Sequence, residues 1–280
     1  MFERAADAVV DGDVTTLAAL LSADPGLATA RSQLVTNRTP PVHRATLLHY
    51  VSANGVEDVR QRSPHNAVEV ARLLLTAGAD PNALADVYGG QCTTMSLLVS
   101  STPPARAGVQ VPLIDVLVDF GASVEPLGDG HWTSPLITAL VFGFADAAEA
   151  LVRRGARADS LAAAAGLGRL DEVRAILPAA SADDRHRALA LATQRGHLAV
   201  TRALLDAGED PNRFHPPGMH AHAGPLHHAA LGGHADLVRL LVERGARLDL
   251  EDTIYHATPA GWAEHGGHPA IAAYLRGRLS

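Results

Sequence analysis

Two stretches of the chain align along their length, GPLHHAALGGHADLVRLLVERGARLDLED from Gly224 and TPAGWAEHGGHPAIAAYL from Thr258, with starts 34 residues apart. A period of this size excludes most folds, because one such unit cannot bury its own apolar face and must stack on its neighbours. Looser copies precede these two. TLLHYVSANG starts at Thr46 and its unit finishes as NAVEVARLLLTAGADPNA; SPLITALVFGFADAAEALVRRGARAD starts at Ser134; LALATQRGHLAVTRALLDAGEDPN starts at Leu189.

Each part of the repeat has a local physical reason. Ser134-Pro135 and Thr258-Pro259 place a capping hydroxyl before a residue whose fixed φ suits the first helical turn. Small and apolar residues such as Leu226, Ala229 and Ala230 give that first helix a face for close packing. Gly-His pairs, at Gly196-His197 and Gly233-His234, then turn the chain into a second helix with Leu237, Val238, Leu240 and Leu241 at helical spacing. Gly78, Gly121, Gly155, Gly208 and Gly245 end the second helices, where a left-handed cap costs glycine least.

The TPLH-like openings, Gly-His turns and LLxxGADxN endings together resemble the ankyrin repeat family, and the interrupted array resembles its bacterial type. The resemblance covers nearly the whole chain, residues 1–280, as a single domain of about seven repeats plus a carboxy-terminal cap. It implies an all-α solenoid of helix pairs with projecting hairpin loops, a fold that serves protein recognition and carries no common chemistry. Departures from the pattern are informative. Leu48 to Gly78 spans 30 positions against 19 from Leu226 to Gly245, which puts an insertion near 54–66. Met95 to Gly121 spans 26, which puts another near 100–110, and the two loops are expected on one edge. Gly155 to Gly168 is only 13 positions against 25 from Gly208 to Gly233, so the loop between them is truncated.

With 47% apolar residues the chain has ample core and is not disordered, but aromatics are only 4%, so that core must be built from Ala, Leu and Val. The 30 acidic and 23 basic side chains give a formal charge of −7, which opposes nucleic acid and anionic membranes. The 15 histidines limit that statement to near-neutral pH. Cys92, the one cysteine, forms no internal disulfide. The amino terminus lacks a secretory pattern and no stretch reaches the ~18 apolar residues of a membrane helix, so a cytoplasmic protein is expected. Gly166 and Gly168 imitate part of a phosphate-binding GxGxxG, but Asp171 stands where the third glycine belongs. HExxH, GxSxG and CxxC are absent, so no catalytic residue and no cofactor is assigned.

The expected function is non-catalytic binding of a partner protein, of unidentified kind, by a monomer. In the family the residue after the TPLH histidine faces the concave surface; here that row reads Tyr50, Leu97, Thr138, Ala163, Leu191, His228 and Trp262. Either it docks a partner or each member packs against neighbouring repeats. Tyr88, Trp132, Phe214 and Tyr255 add aromatic anchors on the loops. Arg60, Arg62 and Arg106 lie in the insertions, either as an anion site or paired with Glu57, Asp58 and Asp115. The carboxy-terminal part is rich in histidine. His227 and His234 occupy structural positions of the repeat, whereas His215, His220 and His222 crowd an overlong loop that His256 of the next loop can approach. Zinc binding and pH-dependent recognition are the alternatives there, and an enzyme is the third class.

Overall fold

The computed structural model describes residues 1–36, 40–130, 132 and 134–278. Their helix pairs fall into two compact units, Met1–Arg157 and Ala158–Ser280. In the first unit α1 (Phe2–Asp11) pairs with α2 (Val14–Ala23), and α3 (Leu47–Tyr50) with α4 (Ala67–Thr76). After β1 (Leu84–Val87) and β2 (Gly90–Thr93) come α5 (Thr94–Leu98), α6 (Thr102–Arg106) and α7 (Gln110–Asp119), then the pair α8 (Pro135–Phe142) and α9 (Ala145–Arg153). First helices α1, α3, α5 and α8 touch in sequence, and second helices α2, α4, α7 and α9 do likewise.

The second unit repeats this plan with α10 (Leu161–Gly166) and α11 (Leu170–Ile176), α12 (Ala182–Gln194) and α13 (Leu198–Asp206), α14 (Pro225–Leu231) and α15 (Ala235–Glu243), and α16 (Pro259–His265) and α17 (Pro269–Arg276). Ala164, Ala165, Ala188, Ala192, Ala229, Ala230, Ala260 and Ala263 are buried along the first helices, where small side chains let the backbones approach. Leu204, Leu237, Leu240 and Leu241 fill the layer behind them.

The glycine turn within a helix pair, Gly-His at 196–197 and 233–234 and Gly-Arg at 168–169, answers two demands on the same glycine. Gly168, Gly196 and Gly233 have φ of 73°, 74° and 73°, the left-handed region that glycine enters at least cost. A Cβ on Gly168 would also lie 2.7 Å from His197 Nδ1, and on Gly196 or Gly233 2.4 Å from Cε1 of His234 or His268. Each histidine thus covers the bare turn of the preceding pair, and His197 Nε2 bonds Gly166 O at 2.9 Å. In the first unit Asn66 takes this place, donating to Gly12 O at 2.9 Å.

The Asp-Pro-Asn ending has an equally specific role. Asn82 and Asn212 each receive an Asx-turn partner, Asp80 and Asp210 accepting from their N–H groups at 2.9 and 2.8 Å. Their side chains then bridge to the next loop: Asn82 donates to Gly121 O and accepts from Ser123 N, and Asn212 does the same with Gly245 O and Arg247 N. Between β1 and β2, Tyr88 and Gly89 have φ of 55° and 75°, the two-residue turn whose twist matches a hairpin. Near these segments Asn54 donates to Ser100 Oγ at 2.8 Å and Ser101 Oγ to Ala53 O at 3.4 Å.

Candidate functional site

The row after the TPLH histidine lies inside the helix stacks. Tyr50, Leu97, Thr138, Ala163 and Leu191 are fully buried, and His228 and Trp262 nearly so. They sit on α3, α5, α8, α10, α12, α14 and α16, the first helices that pack on one another within each unit, and the alanines around them let larger side chains sink. Packing therefore accounts for their position. The loops differ. Tyr88 is 53% exposed and donates to Asn54 Oδ1 at 2.5 Å; Tyr255 is 71% exposed beside Ile254 at 58%. Trp132 is half-buried against the Phe142 ring at 5.1 Å, and half-buried Phe214 offers its carbonyl to His186 Nε2 at 2.8 Å.

The overlong loop around residues 213–223 does not project; it folds onto its own unit. Gln194 Nε2 bonds both His215 Nδ1 and Met219 O at 2.9 Å, and His215 N donates to Ala223 O at 3.0 Å. The His215 ring stacks on His228 at 4.7 Å, with His220 5.5 Å from His228. His222 packs near Tyr255 and Trp262, and Trp262 touches His227 and His228 in turn. His220 and His222 stand 6.1 Å apart at 88°, not side by side as in an extended strand, because His220 takes a left-handed φ of 61°. His256 is exposed in a separate loop. Among the described residues no three His, Cys, Asp or Glu side chains converge to hold a metal ion.

The model for ankyrin repeats (many copies) matches residues 184–242. Cyclin-dependent kinase inhibitor 2A of Homo sapiens is 36% identical over 123 residues, 42% of this chain and 76% of that protein. The chain belongs to the ankyrin-repeat family. Cyclin-dependent kinase 4 inhibitor B of Homo sapiens is 33% identical over 127 residues, 44% of this chain and 88% of that protein. Palmitoyltransferase Hip14 of Drosophila melanogaster is 35% identical over 84 residues, 30% of this chain and 13% of that protein. These are human and insect proteins, so the bacterial type expected from the interruptions is not borne out. Among the described residues no helix is long and apolar enough to cross a membrane.

The ankyrin histidines hold the openings of their repeats. His49 Nδ1 accepts from Thr46 N at 3.1 Å, and His227 Nδ1 accepts from Gly224 N at 3.3 Å. Burial pushes His49 down to about 4 and lowers His227 as well, backbone groups around each ring offsetting part of the effect. Burial likewise pushes the Cys92 thiol up to about 11, which leaves it protonated and unreactive.

Two polar centres organise the loops, and Asp252 went unmarked in the sequence. Asp252 is buried and accepts from Ile254 N, Tyr255 N and Ala257 N at 2.9, 2.7 and 3.1 Å, and from Trp262 Nε1 at 2.9 Å. Burial works against its charge, but these four donors prevail and hold its carboxyl well below the usual range. The signal was local: an acid followed within ten residues by a loop tip and a tryptophan. Glu57 is the other. It meets His43 Nε2 at 2.9 Å, Tyr50 OH at 3.2 Å and Arg60 Nη1 at 3.6 Å. Arg60 reaches Asp7 at 2.8 Å and also Glu3, and Arg62 meets Asp11 at 2.5 Å. Arg60 and Arg62 are therefore committed mainly to α1, while Asp115 pairs with Arg154 at 3.7 Å and Arg106 is exposed.

Proposed function

We propose that the chain is a non-catalytic module that binds a partner protein through a loop tip, with Ile254-Tyr255 as the anchor. The observation that carries this reading is the pairing of exposure with rigidity at Tyr255. Ile254 and Tyr255 are among the most exposed large apolar side chains of the described residues, yet the backbone beneath them is fixed by Asp252. An aromatic side chain on a pre-ordered loop loses little entropy on binding and suits an interface anchor. Two relatives are named as inhibitors of cyclin-dependent kinases, which supports a protein as the partner. The palmitoyltransferase matches over a small part of its length and lends its activity no support here.

The buried first-helix row serves the reading indirectly, since Trp262 donates to Asp252 beneath the loop that carries Tyr255. A photo-reactive residue at position 255 identifies the partner by cross-linking in the source cell, and titration calorimetry then measures its affinity. Tyr255→Ala is expected to weaken binding tenfold or more, about 1.4 kcal/mol, with an unchanged melting temperature. Cross-links only to the chain itself, or affinity retained by Tyr255→Ala and Ile254→Ala together, overturn the reading.

A further inference from the structure

The 213–223 loop is seated on imidazoles rather than on ion pairs. His215 is 3% exposed and its ring lies over His228 with 17° between planes. Nε2 of both rings is buried with no hydrogen-bond partner among the described residues. His215 Nδ1 accepts from Gln194, whose same nitrogen holds Met219 O, so the amide cannot reverse to receive a proton from His215 without giving up Met219. A second proton on His215 would set one N–H against another.

The Met219 carbonyl, already accepting from Gln194, is the one backbone group that favours that proton, and the surroundings otherwise offer it little compensation. Facing His215 are His186 and Gln194 from α12, His220 from the loop, and His227 and His228 from α14; facing His228 are His215, His220, His222, His227 and the Trp262 ring of α16. Arg213 adds positive charge near His186. The carboxylates of the region act elsewhere: Glu209 and Asp183 on His186, and Asp252 on His227 while it accepts its four hydrogen bonds.

We propose that the His215–His228 stack is an acid-operated latch, in which protonation of both rings releases the 213–223 loop from α12 and α14 and uncovers Met219 and Trp262 while the helix pairs stay folded. The closed loop buries Met219 and nearly all of Trp262, so opening exchanges a covered surface for an apolar one. The linkage has a definite sign. Burial pushes His215 down to about 3 and His228 well below the ordinary imidazole value of 6.5, whereas the open loop returns both to that value. Below about pH 6.5 each ring then multiplies the opening constant roughly tenfold per pH unit, and the pair about a hundredfold.

The test uses the full chain carrying Trp132→Phe, so that emission reports Trp262, together with hydrogen-exchange protection factors from about pH 7.5 to about 4.5. Expected are a change in Trp262 emission and a loss of protection in residues 213–223 that precedes any loss in α13 and α15. Simultaneous loss in loop and helices, or none in the loop, overturns the latch. His215→Phe combined with His228→Phe is expected to keep the loop closed throughout; an unshifted transition also overturns it. A ring-proton titration of the unsubstituted histidines gives an answer independent of that variant's folding. Values near 6.5 for His215 and His228 with the loop closed contradict the proposal, and neutrality until opening supports it.

Discussion

Both units carry chain beyond the basic repeat and fasten it by opposite means. In the first, the 54–66 insertion is clamped by charge: Arg60, 8% exposed, joins Glu57 to Glu3 and Asp7 of α1. In the second, the 213–223 loop is held by neutral rings and amide bonds. Acid separates the two. Burial opposes the Glu57 charge, but the His43 hydrogen bond, a backbone N–H and the charges of His43 and Arg60 bring its carboxyl down to about 2. A lowered carboxyl stabilises the fold above its ordinary 4.5 and loses that contribution as pH falls toward 2. The lowered imidazoles contribute fully above 6.5 and lose it as pH falls toward 3, so the histidine-held loop weakens first.

The largest expected effect breaks the clamp. Arg60→Met leaves Glu57 buried without its cation and removes the tie to α1, at a cost of about 3 kcal/mol. Urea unfolding followed by exchange in α1 and α3 measures it. Arg60→Lys should restore only part, because one ammonium cannot supply the fork that reaches Glu3 and Asp7 together. A cost below about 1 kcal/mol would place Arg60 with ordinary surface pairs and remove the contrast between the units.

Much of this was legible in the sequence because the relevant partners recur at the repeat period. The Gly-His turns and the capped helix starts each read correctly from single motifs, whereas the Asp-Pro-Asn bridges emerged only with the structure. The clamp was half legible: Arg60 and Arg62 stood out, but their acids lie more than 50 residues away on α1, where Glu3, Asp7 and Asp11 share one helical face. The seating of the 213–223 loop depends on His186 and Gln194, which carry no motif and meet it only through the fold. Burial of the Tyr50-to-Trp262 row was open for another reason. A residue beside the TPLH histidine has the same sequence signature whether it faces a partner or the next repeat, and only the alanines packed around it decide.

A pair of glycines sharpens the second unit's side of the comparison. Gly196 and Gly208 both have positive φ, 74° and 93°, but a Cβ on Gly208 meets nothing within 4 Å, while one on Gly196 strikes the His234 ring. Gly208→Ala therefore carries backbone strain alone, about 1 kcal/mol. Gly196→Ala adds displacement of an imidazole that covers the turn and is expected to cost about 2 kcal/mol. Thermal or urea unfolding of the two variants measures the difference. Equal costs would mean that the His234 ring yields freely and that its cover of the turn contributes no packing.

The smallest effect tests whether burial or charge distinguishes the clamp. Arg62 meets Asp11 on the same acidic face of α1 that Arg60 uses, but these side chains are about half exposed. Water screens the pair, and ordering two long side chains offsets much of the attraction, so Arg62→Gln should cost less than about 1 kcal/mol. Near 1 M salt, where the Debye length falls to about 3 Å, the remaining difference should vanish. The Arg60→Met cost should survive the same salt, because ions do not reach Glu57 behind Tyr50 and His43. If both substitutions cost the same and both fade with salt, the α1 stripe acts as a diffuse field and the buried pairing adds nothing.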